Sequence, residues 1–192
     1  DEVERLLPIW QQGFDRDGRP VMFQHYGCVR LREIMRCTTL ERVRMSHTRG
    51  IEHLARLCGE QTQARGRVVD QWIVVVDAEG WDPANLLTPA VFKWAAHMAD
   101  VDQNHHPERL FRMFIINTPR VVFTFYRMIS GLIAESTRAK IQLFIGPETW
   151  MPALAEHIAP DQLPVEYGGT DANRLREAYG GAASDELASK LE

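Results

Sequence analysis

Two short polar stretches stand on either side of an apolar one. The first is His106-Pro107-Glu108-Arg109 and the second is Glu135-Ser136-Thr137-Arg138-Ala139-Lys140. The first sets a carboxylate beside a guanidinium directly after a proline turn. The ordinary outcome for such neighbours is a local ion pair at the end of an element. Their surroundings point further. Between them run Met113-Phe114-Ile115-Ile116, which reads as a strand covered on both faces, and Asn117-Thr118-Pro119, where proline forbids ladder pairing. Val121 to Ile133 follow, a helix-length segment with bulky apolar groups on most of its circumference. A polar clasp, a greasy helix and a second polar clasp describe a pocket with a door.

Other chemistries find less support. The seven histidines, at 25, 47, 53, 97, 105, 106 and 157, form no strong ligand motif, although Asp102, His105 and His106 lie close in sequence. No metal site is expected. No G-x-S-x-G elbow exists for a hydrolase, and Gly66, Gly80 and Gly146 form no phosphate-cradling loop. Asp77 ends an apolar run, where a turn-forming acid is the ordinary role. No catalytic residue is assigned, and the chain is expected not to be an enzyme.

The elements that must position the clasps alternate. Asp15-Arg16-Asp17-Gly18 is a turn signal ahead of a strand at 21–26. Thr38 and Glu41 have capping-box spacing. Leu40, Val43, His47, Ile51, Leu54 and Cys58 then mark one face of a helix ending near Gly59, with 60–66 read as a loop. Trp72 to Val76 suits a central strand. Thr88-Pro89 starts a helix that runs to about 102. Strands near 114 and 143 bracket a helix at 120–134, and 151–158 is a short helix. Strand–helix alternation implies an α/β sheet, largely parallel. From 171 onward apolar residues thin out, which predicts an extension loosely docked or partly disordered.

The chain has 192 residues, 45% hydrophobic and 25% charged, with net charge −4. That is one soluble-type domain with no global attraction to nucleic acid. Cys28, Cys37 and Cys58 lack metal spacing and read as free buried thiols of a reducing compartment. No apolar run reaches membrane-span length. The opening residues read as the middle of something, so the chain is expected to be a domain of a longer protein.

Two readings fit 120–134. One is a fully buried core helix. The other is a helix with two apolar faces, one lining a cavity and one meeting a membrane surface. Under the second, exposing Phe123, Phe125, Met128, Ile129 and Leu132 to water would cost on the order of 10 kcal/mol at about 2 kcal/mol each. Contact with lipid would offset most of this, so opening belongs at the bilayer.

Several ordered motifs resemble the CRAL-TRIO lipid-binding domain, in particular that of fungal and plant phosphatidylinositol/phosphatidylcholine transfer proteins. They are Phe14-Asp15-Arg16-Asp17-Gly18-Arg19-Pro20-Val21, Val76-Asp77-Ala78-Glu79-Gly80, His106-Pro107-Glu108-Arg109 through Asn117-Thr118-Pro119, Thr137 with Lys140, and Leu163-Pro164-Val165-Glu166-Tyr167-Gly168-Gly169. The resemblance spans residues 8–170. It implies a mostly parallel β-sheet flanked by helices, with a large apolar pocket closed by a gating helix. That gate would carry Phe123, Phe125, Tyr126, Met128, Ile129 and Leu132. Trp72, Val74, Val76, Phe114 and Ile116 would line the pocket.

The resemblance also implies a head-group site at Glu108, Arg109, Thr137 and Lys140. A phosphodiester wants a cation and hydroxyl donors, and inositol hydroxyls want a carboxylate. Arg109 would serve the phosphate or hold Glu108 in place. The phosphatidylcholine pattern does not carry over, because Trp72, Val74 and His106 stand where the family has small hydroxyl residues and tyrosines. The expected function is phosphatidylinositol binding and transfer, or its presentation to a lipid kinase. The location would be cytoplasmic, peripheral at Golgi or endosomal membranes, and no cofactor other than the bound phospholipid is implied. A different hydrophobe, such as a sterol, a tocopherol-like molecule or another phospholipid, is the alternative. A membrane-targeting module of a larger protein is another.

Overall fold

The computed structural model describes residues 8–29, 34, 38–81 and 88–172. The expected C-terminal extension lies almost wholly outside the described residues, as does Cys37. Five strands form one sheet in the order β1 (Ile9–Phe14), β2 (Pro20–His25), β3 (Trp72–Asp77), β4 (Leu110–Ile116) and β5 (Ile141–Leu143). β1 is antiparallel to β2, and every other neighbouring pair is parallel. The helices between the parallel strands are α1 (Leu40–Arg65), α2 (Pro89–His105), α3 (Arg120–Ile129) and the single turn α4 (Glu135–Arg138); α5 (Pro147–His157) follows β5.

β1 was not marked by pattern. Gln11-Gln12-Gly13 breaks its alternation, and Gly13 sits at φ 68 where the register to β2 shifts. α1 runs six residues of mostly polar sequence, 60–65, past the expected stop near Gly59. Glu60, Gln61, Gln63, Ala64 and Arg65 carry no apolar rhythm but are good helix formers. The helix stops at Gly66, which takes the left-handed conformation at φ 63. Its N-cap is Thr39, whose hydroxyl accepts from the Arg42 amide; the Thr38 hydroxyl is buried with no partner.

The sheet has two dissimilar faces. On one, Val21, Phe23, Ile73, Val75, Phe114 and Ile116 pack against Trp150 and Leu154 of α5 and against Leu163 and Tyr167 beyond it. This layer is dry and close-packed, and burying side chains such as Phe23 and Phe114 stabilises it by roughly 2 kcal/mol each. On the other face, Met22, Trp72, Val74 and Val76 meet Ile51, Leu54 and Cys58 of α1. α2 and α3 cover the rest of that face by packing on each other through Val91, Phe92, Val122 and Phe125. They stand off the strands, and a cavity remains beneath them.

α3 is shorter than the expected 120–134. It becomes a 3-10 turn at Ser130–Leu132. The Ser130 hydroxyl takes the Arg127 carbonyl at 2.9 Å, and Gly131 offers no side chain to hold a further α turn.

Candidate lipid pocket and head-group clasp

The cavity has a volume of about 300 Å³. Its floor comes from three strands: Met22 and Gln24 of β2, Trp72, Val74 and Val76 of β3, and Leu110, then Met113 and Ile115 past a register shift, of β4. Strand parity explains a correction. Phe114 and Ile116, expected to line the pocket, point to the opposite face into the α5 layer. Their neighbours Met113 and Ile115 line it instead. A run that is apolar at every position gives no sign of which parity faces a cavity.

The gate residues divide in the same way. Val122, Phe125, Tyr126 and Ile129 of α3, with Ile133 beyond it, line the cavity. Phe123 is half-buried and does not line it. Met128 and Leu132 face outward, 57% and 51% exposed, on the same side as exposed Arg120, Thr124 and Arg127. α3 is therefore neither a core helix nor apolar all round. It is sharply amphipathic, with two large apolar groups standing among the cations of its outer face. Because those two are already in water, an outward movement of α3 would newly expose chiefly Val122, Phe125 and Ile129. The cost falls to about 6 kcal/mol at about 2 kcal/mol each.

The polar clasps meet at the N-terminal edge of β4 and β5. Glu108 takes φ 59, in the left-handed region, just ahead of β4. Its carbonyl accepts from the Gln71 side chain, through Nε2, at 3.0 Å. Its carboxylate reaches Lys140 Nζ through Oε2 at 2.8 Å and accepts from Ser136 Oγ through Oε1 at 2.8 Å. These two hydrogen bonds, the one from Lys140 first, hold the Glu108 carboxyl below the usual carboxylate range. Thr137 lies beside Ser136 on α4 and also lines the cavity. The two clasps are thus one cluster in this state, closed across the cavity mouth.

Arg109 does not pair with Glu108. Its Nη1 donates to the Asp70 carbonyl at 3.0 Å, tying the guanidinium to the entry of β3, while the side chain still borders the cavity. The expectation that it holds Glu108 in place gives way to Lys140 and Ser136. Ser136 was part of the polar return but not singled out, because its role depends on α4 turning it back toward Glu108.

The ends of the gate are fastened differently. At the start, Asn117 takes φ 51 and donates through Nδ2 to Asp77 Oδ1 at 3.0 Å; its Oδ1 accepts from Trp150 Nε1 at 3.0 Å. The Tyr167 hydroxyl donates to Asp77 Oδ2 at 3.3 Å, and the Glu79 amide donates to Asp77 Oδ1 at 2.9 Å. Asp77 is thus a structural tether, as a turn acid should be. At the far end, Gln103 of α2 donates to the Leu132 carbonyl at 3.2 Å and accepts from the Ala134 amide at 2.7 Å. Arg138 adds a bond to the Ser130 carbonyl at 3.3 Å.

This combination of a sheet open on one face, an amphipathic gate and a clasp at its foot has counterparts. A family model described as the CRAL/TRIO domain matches residues 5–169. The chain belongs to the CRAL/TRIO domain family. A CRAL-TRIO domain-containing protein of Saccharomyces cerevisiae is 27% identical over 88% of this chain and 54% of its own length. The phosphatidylinositol/phosphatidylcholine transfer protein SFH14 of Arabidopsis thaliana is 34% identical over 88% of this chain and 29% of its own. The SEC14 cytosolic factor of Candida glabrata is 27% identical over 93% of this chain and 58% of its own. This CRAL/TRIO chain thus spans between about a third and three fifths of the relatives it matches. The crystal structure of Sfh5 superposes with a TM-score of 0.65 over 100% of this chain and 66% of that one at 16% identity, which supports the α/β fold. Among the described residues no group of His, Cys, Asp or Glu could hold a metal, and no helix is long and apolar enough to cross a membrane.

Proposed function

We propose that this CRAL/TRIO chain binds phosphatidylinositol and carries or presents it between membranes, as a binder and not a catalyst. The observation that supports this reading is the convergence of a carboxylate, two hydroxyl side chains and an ammonium at the mouth of an otherwise apolar cavity. Lys140 with Ser136 or Thr137 suits a phosphodiester, and the Glu108 carboxylate suits vicinal ring hydroxyls. Arg109 borders the same mouth and can add charge once its bond to Asp70 is exchanged. Acyl chains would lie over Trp72, Val74, Val76, Met113 and Ile115. The phosphatidylinositol transfer named for one relative is in keeping with this. The site of action would be a cytoplasmic membrane surface at the Golgi or endosomes, with a lipid kinase as a candidate recipient.

The test is transfer of radiolabelled phosphatidylinositol between liposomes. Lys140→Ala should lower the rate at least about tenfold, the loss of one charge-assisted hydrogen bond. Transfer at the wild-type rate would remove Lys140 from the head-group site.

A second reading rests on the cavity itself. About 300 Å³ lies at the low end of the roughly 300–1,000 Å³ of ligand pockets, and Trp72 fills part of its floor. A compact hydrophobe of sterol or tocopherol type needs less outward movement of α3 than a diacyl lipid. Mass spectrometry of the lipid extracted from purified protein separates the two. The chain could equally serve as the membrane-targeting module of a longer protein, which the neighbouring domains would reveal.

A further inference from the structure

The cavity is bordered by a second set of polar groups, distinct from the clasp residues. Gln24 lies on the pocket face of β2, in register with Val76 of β3, which in turn pairs with Ile115 of β4. These positions are toward the C-terminal ends of the strands, whereas Glu108 and Lys140 precede the N-terminal ends of β4 and β5. Gln24 is 7% exposed, and its carboxamide nitrogen has only the weakly accepting Met22 sulfur as partner, at 3.3 Å. His47 of α1 and Asp102 of α2 share a contact of 2.6 Å between Nε2 and Oδ1, and both border the cavity with Gln24. Tyr26, also in the wall, is near enough for the Asp102 charge to add to burial in pushing its phenol up, so the hydroxyl keeps its proton.

A polar wall in an apolar cavity is costly unless something satisfies it. The pocket's apolar ligand would leave Asp102 Oδ2 and the Gln24 carboxamide oxygen facing hydrocarbon. Both are acceptors. His47 occupies only one oxygen of Asp102, which keeps that carboxylate oriented and half open, with 47% of its side chain exposed. The rings of Tyr26 and Trp94, 5.2 Å apart and edge to face, border the same cavity.

We propose that Gln24, Tyr26, His47 and Asp102 form an interior subsite that takes a hydrogen-bond-donating group, a hydroxyl or an ammonium, carried by the ligand inside the pocket. This rests on the reading of the cavity as a site for a hydrophobic ligand but not on the head-group assignment at its mouth. The subsite gives the pocket a preference among hydrophobes: those with a donor at one end bind more tightly than isosteres without one. Leaving the acceptors unpaired is what rejects the latter.

The experiment uses probes of one chain length with different ends: 1-decanol, decylamine and decyl methyl ether. Each is titrated against protein loaded with the dye 1-anilinonaphthalene-8-sulfonate, and displacement is followed by fluorescence. Wild type should prefer the alcohol or the amine over the ether by about tenfold or more, as one good hydrogen bond to a charged group provides. A preference led by the alcohol identifies a neutral hydroxyl as the natural partner, and one led by the amine identifies an ammonium. Asp102→Asn should shrink the preference to about threefold or less, and Tyr26→Phe, which removes one hydroxyl and little volume, should weaken it as well. Displacement by all three probes with equal affinity, or a preference unchanged in both variants, overturns the subsite while leaving the pocket intact. Failure of every probe to displace the dye overturns both.

Discussion

Glu108 is the residue on which the proposed head-group site turns. Its left-handed backbone aims the carboxylate across the mouth, and Lys140 and Ser136 hold it there. A carboxyl whose folded pKa is depressed contributes above its ordinary range and loses that contribution as pH falls through the folded value. The Glu108–Lys140 contact should therefore persist from neutral pH down to the ordinary 4.5 and break only below it. An NMR titration of the Glu108 side chain should give a midpoint under 4.5 that returns toward it in Lys140→Ala or at high salt. Asp77 carries a different kind of weight. It accepts from three groups while 5% exposed, so Asp77→Ala strands buried donors and should cost about 3 kcal/mol, read as a lowered Tm. Lost lipid transfer at unchanged Tm would contradict its role as a tether.

At the scale of elements, the two ends of α3, the proposed gate, are fastened asymmetrically. Its start is fixed by buried Thr118 and by the Asp77–Asn117–Trp150 network. Its end hangs on Gln103 of α2 and Arg138 of α4, both half-buried, which bond the backbone of the turn after α3. Outward motion should begin at that end, where fewer buried contacts resist it. Gln103→Ala removes both latch bonds, each worth about 1 kcal/mol, so amide exchange at residues 130–134 should quicken about tenfold or more while β3 and β4 stay protected. Equal exchange in variant and wild type would show that the latch does not limit opening.

For the whole molecule, what matters is where α3 meets its surroundings. Met128 and Leu132 project from a face that also carries Arg120 and Arg127. Apolar groups ringed by cations suit the boundary of an anionic bilayer. With about 6 kcal/mol to be offset on opening, a membrane that accepts this face can favour the open state. Met128→Asp together with Leu132→Asp should weaken sedimentation with anionic liposomes by about tenfold or more and slow transfer, with no loss of Tm, because neither side chain is in the core. Binding to liposomes at wild-type strength would move the docking face elsewhere.

Much of this was legible in the chain itself. Strand–helix alternation required a largely parallel sheet, since parallel strands need crossovers. Thr88-Pro89, Asn117-Thr118-Pro119 and the two polar stretches marked where elements start and stop, because caps and prolines act locally. Local signals also marked the gate as unusual. Three things required the folded chain. The parity of β4 decided that Met113 and Ile115, not Phe114 and Ile116, face the cavity, since a strand apolar on both sides carries no phase. The turn of α4 decided that Glu108 answers to Lys140 and Ser136, and that Arg109 turns away to Asp70, because partners some thirty residues apart are set by packing and not by spacing. The packing of α1 against α2 brought His47 to Asp102 inside the pocket, a pairing across 55 residues that no periodicity could announce. Sequence determined which elements form and in what order; only tertiary packing decided which of their side chains share a cavity.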